Sequence, residues 1–165
     1  MAGAFELSSP IIVEDKMLKM MDHLLDTAPI PAGAALQIQP IHHNRTIALD
    51  TTAGSVLTLP QAFGTGLRFR AIVSVVSTAH KIRVGNATDV LRGSMQLLDN
   101  DSTAATAYAA TSTDDTLTLN STTTGGQVGD WVELCDILKG FWAINGVGVV
   151  PAGSNIADPF SAAVS

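Results

Sequence analysis

Along most of this chain, apolar residues recur at every second position, the period of a strand that buries one face. Residues 45–50 place Ile47 and Leu49 together, and residues 55–59 place Leu57 and Leu59 together. Residues 67–76 form the longest strand candidate, with Phe69, Ala71, Val73 and Val75 on one face, and residues 80–84 turn Ile82 and Val84 inward. Residues 116–120 alternate cleanly around Leu117 and Leu119. Residues 130–138 and 140–150 supply the last two strands, with Gly140 or Lys139-Gly140 as the turn between them. Leu36 and Ile38 mark a short first strand. Residues 91–98 are ambiguous, and residues 102–111 are rich in Ala and Thr, with Tyr108 as the one large side chain. About eight short strands at roughly 8–12-residue spacing predict an all-β fold, an antiparallel sandwich or barrel of jelly-roll-like form. The alternative is α+β, if the ambiguous middle is helical. The turn at 50–54 reads as the loop of a hairpin joining 45–50 to 55–59, and Pro60 ends the second strand because it cannot donate to a ladder.

The start of the chain has a different period. Residues 1–12 read as an extended arm punctuated by Ser8, Ser9 and Pro10. In residues 13–26, Met17, Met20, Met21, Leu24 and Leu25 fall at i, i+3, i+4, i+7 and i+8, which is one apolar helical stripe. Lys16, Lys19, Asp22, His23 and Asp26 lie largely off it. Pro29 and Pro31 stop the helix, because proline lacks a donor and restricts the residue before it. The expected organisation is an arm with an amphipathic helix and Pro-rich linker over 1–34, then a β domain over 35–165. The domain ends in a small, polar tail anchored by Phe160. No internal repeat of fixed period is present. Nine of the residues in 102–124 are Thr, which favours sheet and turn there.

Composition narrows the function. The chain has 165 residues, enough for one domain with a sizeable core. Charged residues are only 15%, so much of the surface must be neutral Ala, Thr, Ser, Gly and Asn, which suits a protein packed against copies of itself or a partner. The net charge is -6, and no Lys or Arg lies between Gly93 and Leu138, where Asp99, Asp101, Asp114, Asp115, Asp130, Glu133 and Asp136 occur. A surface of that sign repels a phosphate backbone, so no nucleic-acid partner is expected. Cys135 is the single cysteine, expected as a small buried hydrophobe near a strand end. The N-terminus has no signal-peptide pattern and no apolar run approaches the ~18–20 residues of a membrane span. The expected setting is assembly in a host cytoplasm without a membrane partner.

Candidate chemistry is sparse. His42 and His43 are adjacent, so on a strand they face opposite ways, and neither they, His23 nor His80 has metal-ligand spacing. Asp99-Asn100-Asp101 opens like a calcium loop, but Thr103 and Ala104 stand where the motif needs a further Asp or Asn and then Gly. Gly64-Thr65-Gly66 resembles half of a phosphate cradle, yet it opens a strand where a dinucleotide fingerprint opens a helix. No Gly-x-Ser-x-Gly elbow occurs, and Asn-x-Ser/Thr occurs at Asn44, Asn86, Asn100 and Asn120. No cofactor, metal or catalytic residue is assigned. Arg68 and Arg70 share the outer face of one strand, and Lys81 and Arg83 that of the next. If these strands pair as a hairpin, four like charges cluster and need neutralising, by the chain's own acids or by an acidic patch on a partner.

Several motifs together resemble structural proteins of tailed bacteriophages. They are Arg45-Thr46-Ile47-Ala48-Leu49-Asp50, then Ala53-Gly54, then Leu57-Thr58-Leu59-Pro60 and Gly64-Thr65-Gly66-Leu67-Arg68-Phe69. A Leu-Pro-x-Ala-x-Gly-x-Gly turn that leads into a Phe-containing strand is the core of the likeness. Ile82 to Asp89, Asp115 to Asn120, Thr123 to Leu134, Trp142 to Gly146 and Pro159-Phe160-Ser161 extend it over roughly residues 45–162. The resemblance implies a β-rich virion domain, of the kind found as head decoration proteins and in fibre-like proteins, and implies no catalytic residues.

The expected function is a capsid decoration or cement protein on the head exterior, which binds the major capsid protein and bridges subunits by interface burial; the resemblance suggests a homotrimer. The Met-rich stripe either folds onto the chain's own sheet or docks on a neighbour. Arm 1–28 is expected to make intersubunit or capsid contacts, because a free apolar stripe is unfavourable. The expected interface residues are Met17, Met20, Met21, Leu24, Leu25, Arg68, Arg70, Lys81 and Arg83. Alternatives are a head-fibre or tail-fibre receptor-binding domain, and a sugar-active lyase or hydrolase. An enzyme would need convergent carboxylates or a nucleophile–base pair, and no such constellation is recognisable.

Overall fold

A computed structural model describes residues 28–101 and 105–164. The helix expected over 13–26, with Met17, Met20, Met21, Leu24 and Leu25, lies outside the described residues.

The described chain forms two packed sheets. The order of strands is β1 (Ile30–Pro31), β2 (Ala35–Gln37), β3 (Thr46–Leu49), β4 (Val56–Leu59), β5 (Arg68–Val73), β6 (His80–Val84), β7 (Val90–Asp99), β8 (Ala105–Ala109), β9 (Thr116–Leu119), β10 (Trp131–Leu138), β11 (Phe141–Val150) and β12 (Phe160–Ser161). A seven-stranded sheet runs β1-β3-β5-β10-β11-β7-β8, and a five-stranded sheet runs β12-β9-β6-β4-β2. The expected sandwich is present. Ambiguous residues 91–98 belong to β7, one of the two longest strands, and the tract around Pro31 supplies the edge strand β1, a position proline tolerates.

The sheets are mixed, where antiparallel pairing was expected. From β1 to β6 the chain alternates between sheets, and each strand lies parallel to the one two places before it: β1, β3 and β5 in one sheet, β2, β4 and β6 in the other. Strands 45–50 and 55–59 are therefore not a hairpin. The turn between them crosses the sandwich. The connections between strands differ in length, so the winding leaves no fixed period in the sequence. From β7 onward most pairing is antiparallel, as in β7–β8, β10–β11 and β9–β12, and the one parallel ladder is β7–β11.

Alternation places the core. Leu36, Leu57, Ile82, Leu117 and Phe160 form one cross-strand row of the five-stranded sheet. Ile47, Ala71, Val132, Gly146 and Met95 form an inward row of the other. Trp142 is fully buried, lies edge-on to Phe69 with centroids 6.3 Å apart, and donates its indole N–H to the Pro60 carbonyl at 3.1 Å.

The corners of the winding are tied to each other. Gly33 N–H donates to Asp50 Oδ1 at 2.8 Å, and the next corner reaches the third through Ser55 N–H, which donates to His80 Nδ1 at 2.9 Å. His80 is fully buried and its Nε2 donates to the Val75 carbonyl at 2.7 Å, which fixes the neutral Nε2–H tautomer. Gly54 sits at φ +99, and a Cβ there would lie 2.5 Å from the Ala79 carbonyl oxygen, so only glycine lets these two corners stack.

Candidate interaction surface

Among the described residues the acids mostly hold loops. Asp89 accepts the Ala62 N–H at 2.6 Å, Asp114 accepts the Thr111 N–H at 2.6 Å, and Asp115 accepts the N–H groups of Ala163 and Val164. Asp130 accepts from Gly126, Gln127 and Val149 through one carboxylate oxygen. Burial pushes the Asp130 carboxyl above its ordinary value, against the pull of those three N–H groups. Asp114, Asp115, Asp130 and Asp136 are all buried, so four of the seven acids expected on one repulsive surface are not on a surface. Two asparagines of the Asn-x-Ser/Thr sequences serve similarly. Asn86 Oδ1 accepts from Thr88 and Asp89, and Asn120 Oδ1 accepts the N–H groups of Thr122, Thr123 and Thr124.

The tightest of these arrangements is a corner. Residues 60–66 leave β4, and Asp136 of β10 reaches into them. Its carboxylate accepts N–H groups from Phe63 at 3.1 Å, Gly64 at 2.7 Å and Thr65 at 2.9 Å, and the Thr65 hydroxyl at 2.6 Å. The expected half-cradle at Gly64-Thr65-Gly66 is thus a nest of N–H donors, and the anion in it is the protein's own. Burial pushes the Asp136 carboxyl up, but the bonds from Thr65, Gly64 and Phe63 outweigh it and hold the group below its ordinary value. Gly64 and Gly66 have φ of +77 and +73, so the turn is built for glycine.

This rigid corner presents apolar side chains to solvent. Phe63 is 60% exposed, Ile137 52% and Leu138 60%. They are adjacent: Phe63 bridges to Lys139 across the chain, and Gly64 abuts the backbone of Ile137 and Leu138. Ile137 points outward by the alternation of β10, and the register shift between Asp136 and Leu138 takes Leu138 out of the inward set that Val132, Leu134 and Asp136 occupy.

The basic residues expected as one cluster are on opposite faces. Arg68 and Arg70 lie on the outer face of the seven-stranded sheet and Lys81 and Arg83 on that of the five-stranded sheet, because β5 and β6 never pair. Arg70 is instead matched by its cross-strand neighbour Glu133, in an exposed ion pair, and its guanidinium covers the Trp131 ring at 4.9 Å. Around this pair lies an open groove of about 490 Å³, lined on one side by Arg45, Arg68 and Arg70 and floored by Cys135, Ala143 and Asn145. Cys135 is half-buried and belongs to this outer face, where a buried position was expected.

His42 is buried in a one-turn 3-10 helix, Pro40–His42, and its Nδ1 accepts the Gln39 N–H. Burial, then Arg45, pulls its pKa down. Among the described residues no three of His, Cys, Asp and Glu are grouped to hold a metal ion, and no helix is long and apolar enough to cross a membrane. Comparison with protein-family models, curated proteins and solved structures gives no match.

Proposed function

We propose that this chain is a structural binding protein of a tailed-phage particle, a decoration or cement protein that seats on the outside of the head and bridges capsid subunits. The observation that carries the reading is the corner at residues 60–66. The Leu-Pro-x-Ala-x-Gly-x-Gly run that carries the phage resemblance is the segment clamped by Asp136, and one of its three variable positions is the exposed Phe63 beside Ile137 and Leu138. A cement protein gains affinity from apolar anchors that lose little freedom on docking. A four-donor clamp under an exposed phenyl ring meets that need.

The parallel winding of β1–β6 favours a second reading, a head-fibre or tail-fibre domain, since stacked coils of this kind are the unit of elongated β-solenoids. The two readings separate in one experiment: light scattering of the purified protein alone and mixed with capsids stripped of accessory proteins. A defined oligomer, a trimer by the resemblance, that saturates the capsids supports cement. A protein that leaves capsids unchanged and binds host cells supports the fibre.

A further inference from the structure

We propose that the groove on the outer face of the seven-stranded sheet is the seat of residues 13–26 of the same chain, whose apolar stripe of Met17, Met20, Met21, Leu24 and Leu25 closes over Cys135. The inference is independent of the capsid reading.

Three observations point to this occupant. The described chain begins at the groove: Arg45, which lines it, donates from Nη2 to the Ala28 carbonyl at 3.3 Å. The stripe therefore starts only a few residues from the groove's rim, and a neighbouring copy would have to displace a segment already at hand. The second observation is size. Fourteen residues read as a helix measure about 21 Å. The outer face from β3 across β5, β10 and β11 to β7 measures about 19 Å at the usual strand spacing. That face carries half-buried apolar groups, Ile72, Trp131, Cys135, Ala143 and Val147, flanked by the long arginine side chains. Third, the charges match. Arg68 and Arg70 against Glu133 leave the groove's lining cationic, while Glu14, Asp15, Asp22 and Asp26 against Lys16 and Lys19 leave the segment anionic.

Cys135 is the only thiol, so it reports on the groove without any added label site. The test is the rate of Cys135 alkylation by iodoacetamide in the full chain and in a Met20→Asp/Met21→Asp double variant, with circular dichroism confirming the sheet in both. The proposal expects alkylation at least about tenfold faster in the variant, and protection in the native chain that does not change on dilution. Equal rates in two folded proteins overturn it. Protection lost on dilution overturns it too, because the seat would then be filled by a second copy. A Met21→Cys variant gives an answer even if the double variant does not fold. Mild oxidation should yield a monomer with no free thiol; disulfide-linked dimers or two persistent thiols contradict the proposal.

Discussion

Residues 30–84 and residues 90–161 build the same two sheets by different routes. The first half winds, crossing the sandwich after every strand and laying each new strand parallel to one placed two strands earlier. The second half pairs mostly antiparallel, locally in β7–β8 and β10–β11, adds the one parallel ladder β7–β11, and is joined to the winding by β5–β10 and β6–β9. The halves are therefore stabilised differently. Antiparallel neighbours close their own ladders through short turns, as β10–β11 does around Gly140. The winding has no such turns, so its coils need corner-to-corner bonds, which Asp50 and His80 supply, while Asp89 and Asp136 reach back from beyond β6 and from β10 to hold the corner at 60–66.

Backbone contact is the sharpest way to break the comparison. A Cβ on Gly93 would lie 1.8 Å from the Ile144 carbonyl oxygen, inside the β7–β11 ladder. Gly93→Ala should cost more than about 4 kcal/mol and leave little folded protein, as read by urea unfolding. Gly54→Ala meets corner backbone of the winding and should cost about 2 kcal/mol, because a corner can shift where a ladder cannot.

His80→Ala should fall between the two glycine changes, at about 3 kcal/mol, since it leaves the Ser55 N–H and the Val75 carbonyl without their buried partner and opens a cavity. Hydrogen exchange in that variant should rise at the β3–β4 and β5–β6 corners while the β10–β11 hairpin keeps its protection. Uniform loss of protection would show that the two halves do not differ as described.

The two clamping aspartates should respond oppositely to acid. The Asp136 carboxyl is held below its ordinary value of 3.8 in the fold, so its contribution is complete above that value and is lost as pH falls through the folded pKa. Asp130 is raised in the fold, so its ionisation costs stability as pH rises through its folded pKa, and protonation restores it. Asp136→Asn should lower stability at pH 7 by about 2 kcal/mol and flatten the acid limb of the stability curve. Asp130→Asn should cost less at pH 7, and the ratio of the two effects checks the assignment. The smallest effect belongs to the exposed Arg70–Glu133 pair, where Glu133→Gln should change stability by under about 1 kcal/mol, less in high salt.

Strand positions were legible because period two survives whichever partner a strand takes. Ile47 and Leu49, Leu57 and Leu59, Ile82 and Val84, Leu117 and Leu119 all face the core as their alternation predicts. Partners were not legible. A turn such as 50–54 looks the same whether it reverses within a sheet or crosses between two, and the deciding contacts, Ser55 to His80 and Gly54 to Ala79, are some 25 residues away in sequence. The same blindness merged Arg68 and Arg70 with Lys81 and Arg83. Residues 91–98 hid their strand because Gly93 breaks the alternation, and it does so to admit the Ile144 carbonyl. The exposed corner left a partial signal: Phe63 sits off the apolar period, directly before the turn glycines Gly64 and Gly66. What could not be read was the Asp136 clamp, supplied from more than 70 residues onward.

The corner at residues 60–66 is the surface proposed to bind. Its most direct test is the binding of native protein and a Phe63→Asp variant to stripped capsids, followed by light scattering under identical conditions. The phenyl ring is mostly exposed and Asp136 holds only the backbone N–H of residue 63, so the variant should unfold at the same urea concentration as the native chain. The account predicts saturable binding by the native protein and at least about a tenfold loss of affinity in the variant. Equal binding by two equally stable proteins would contradict it.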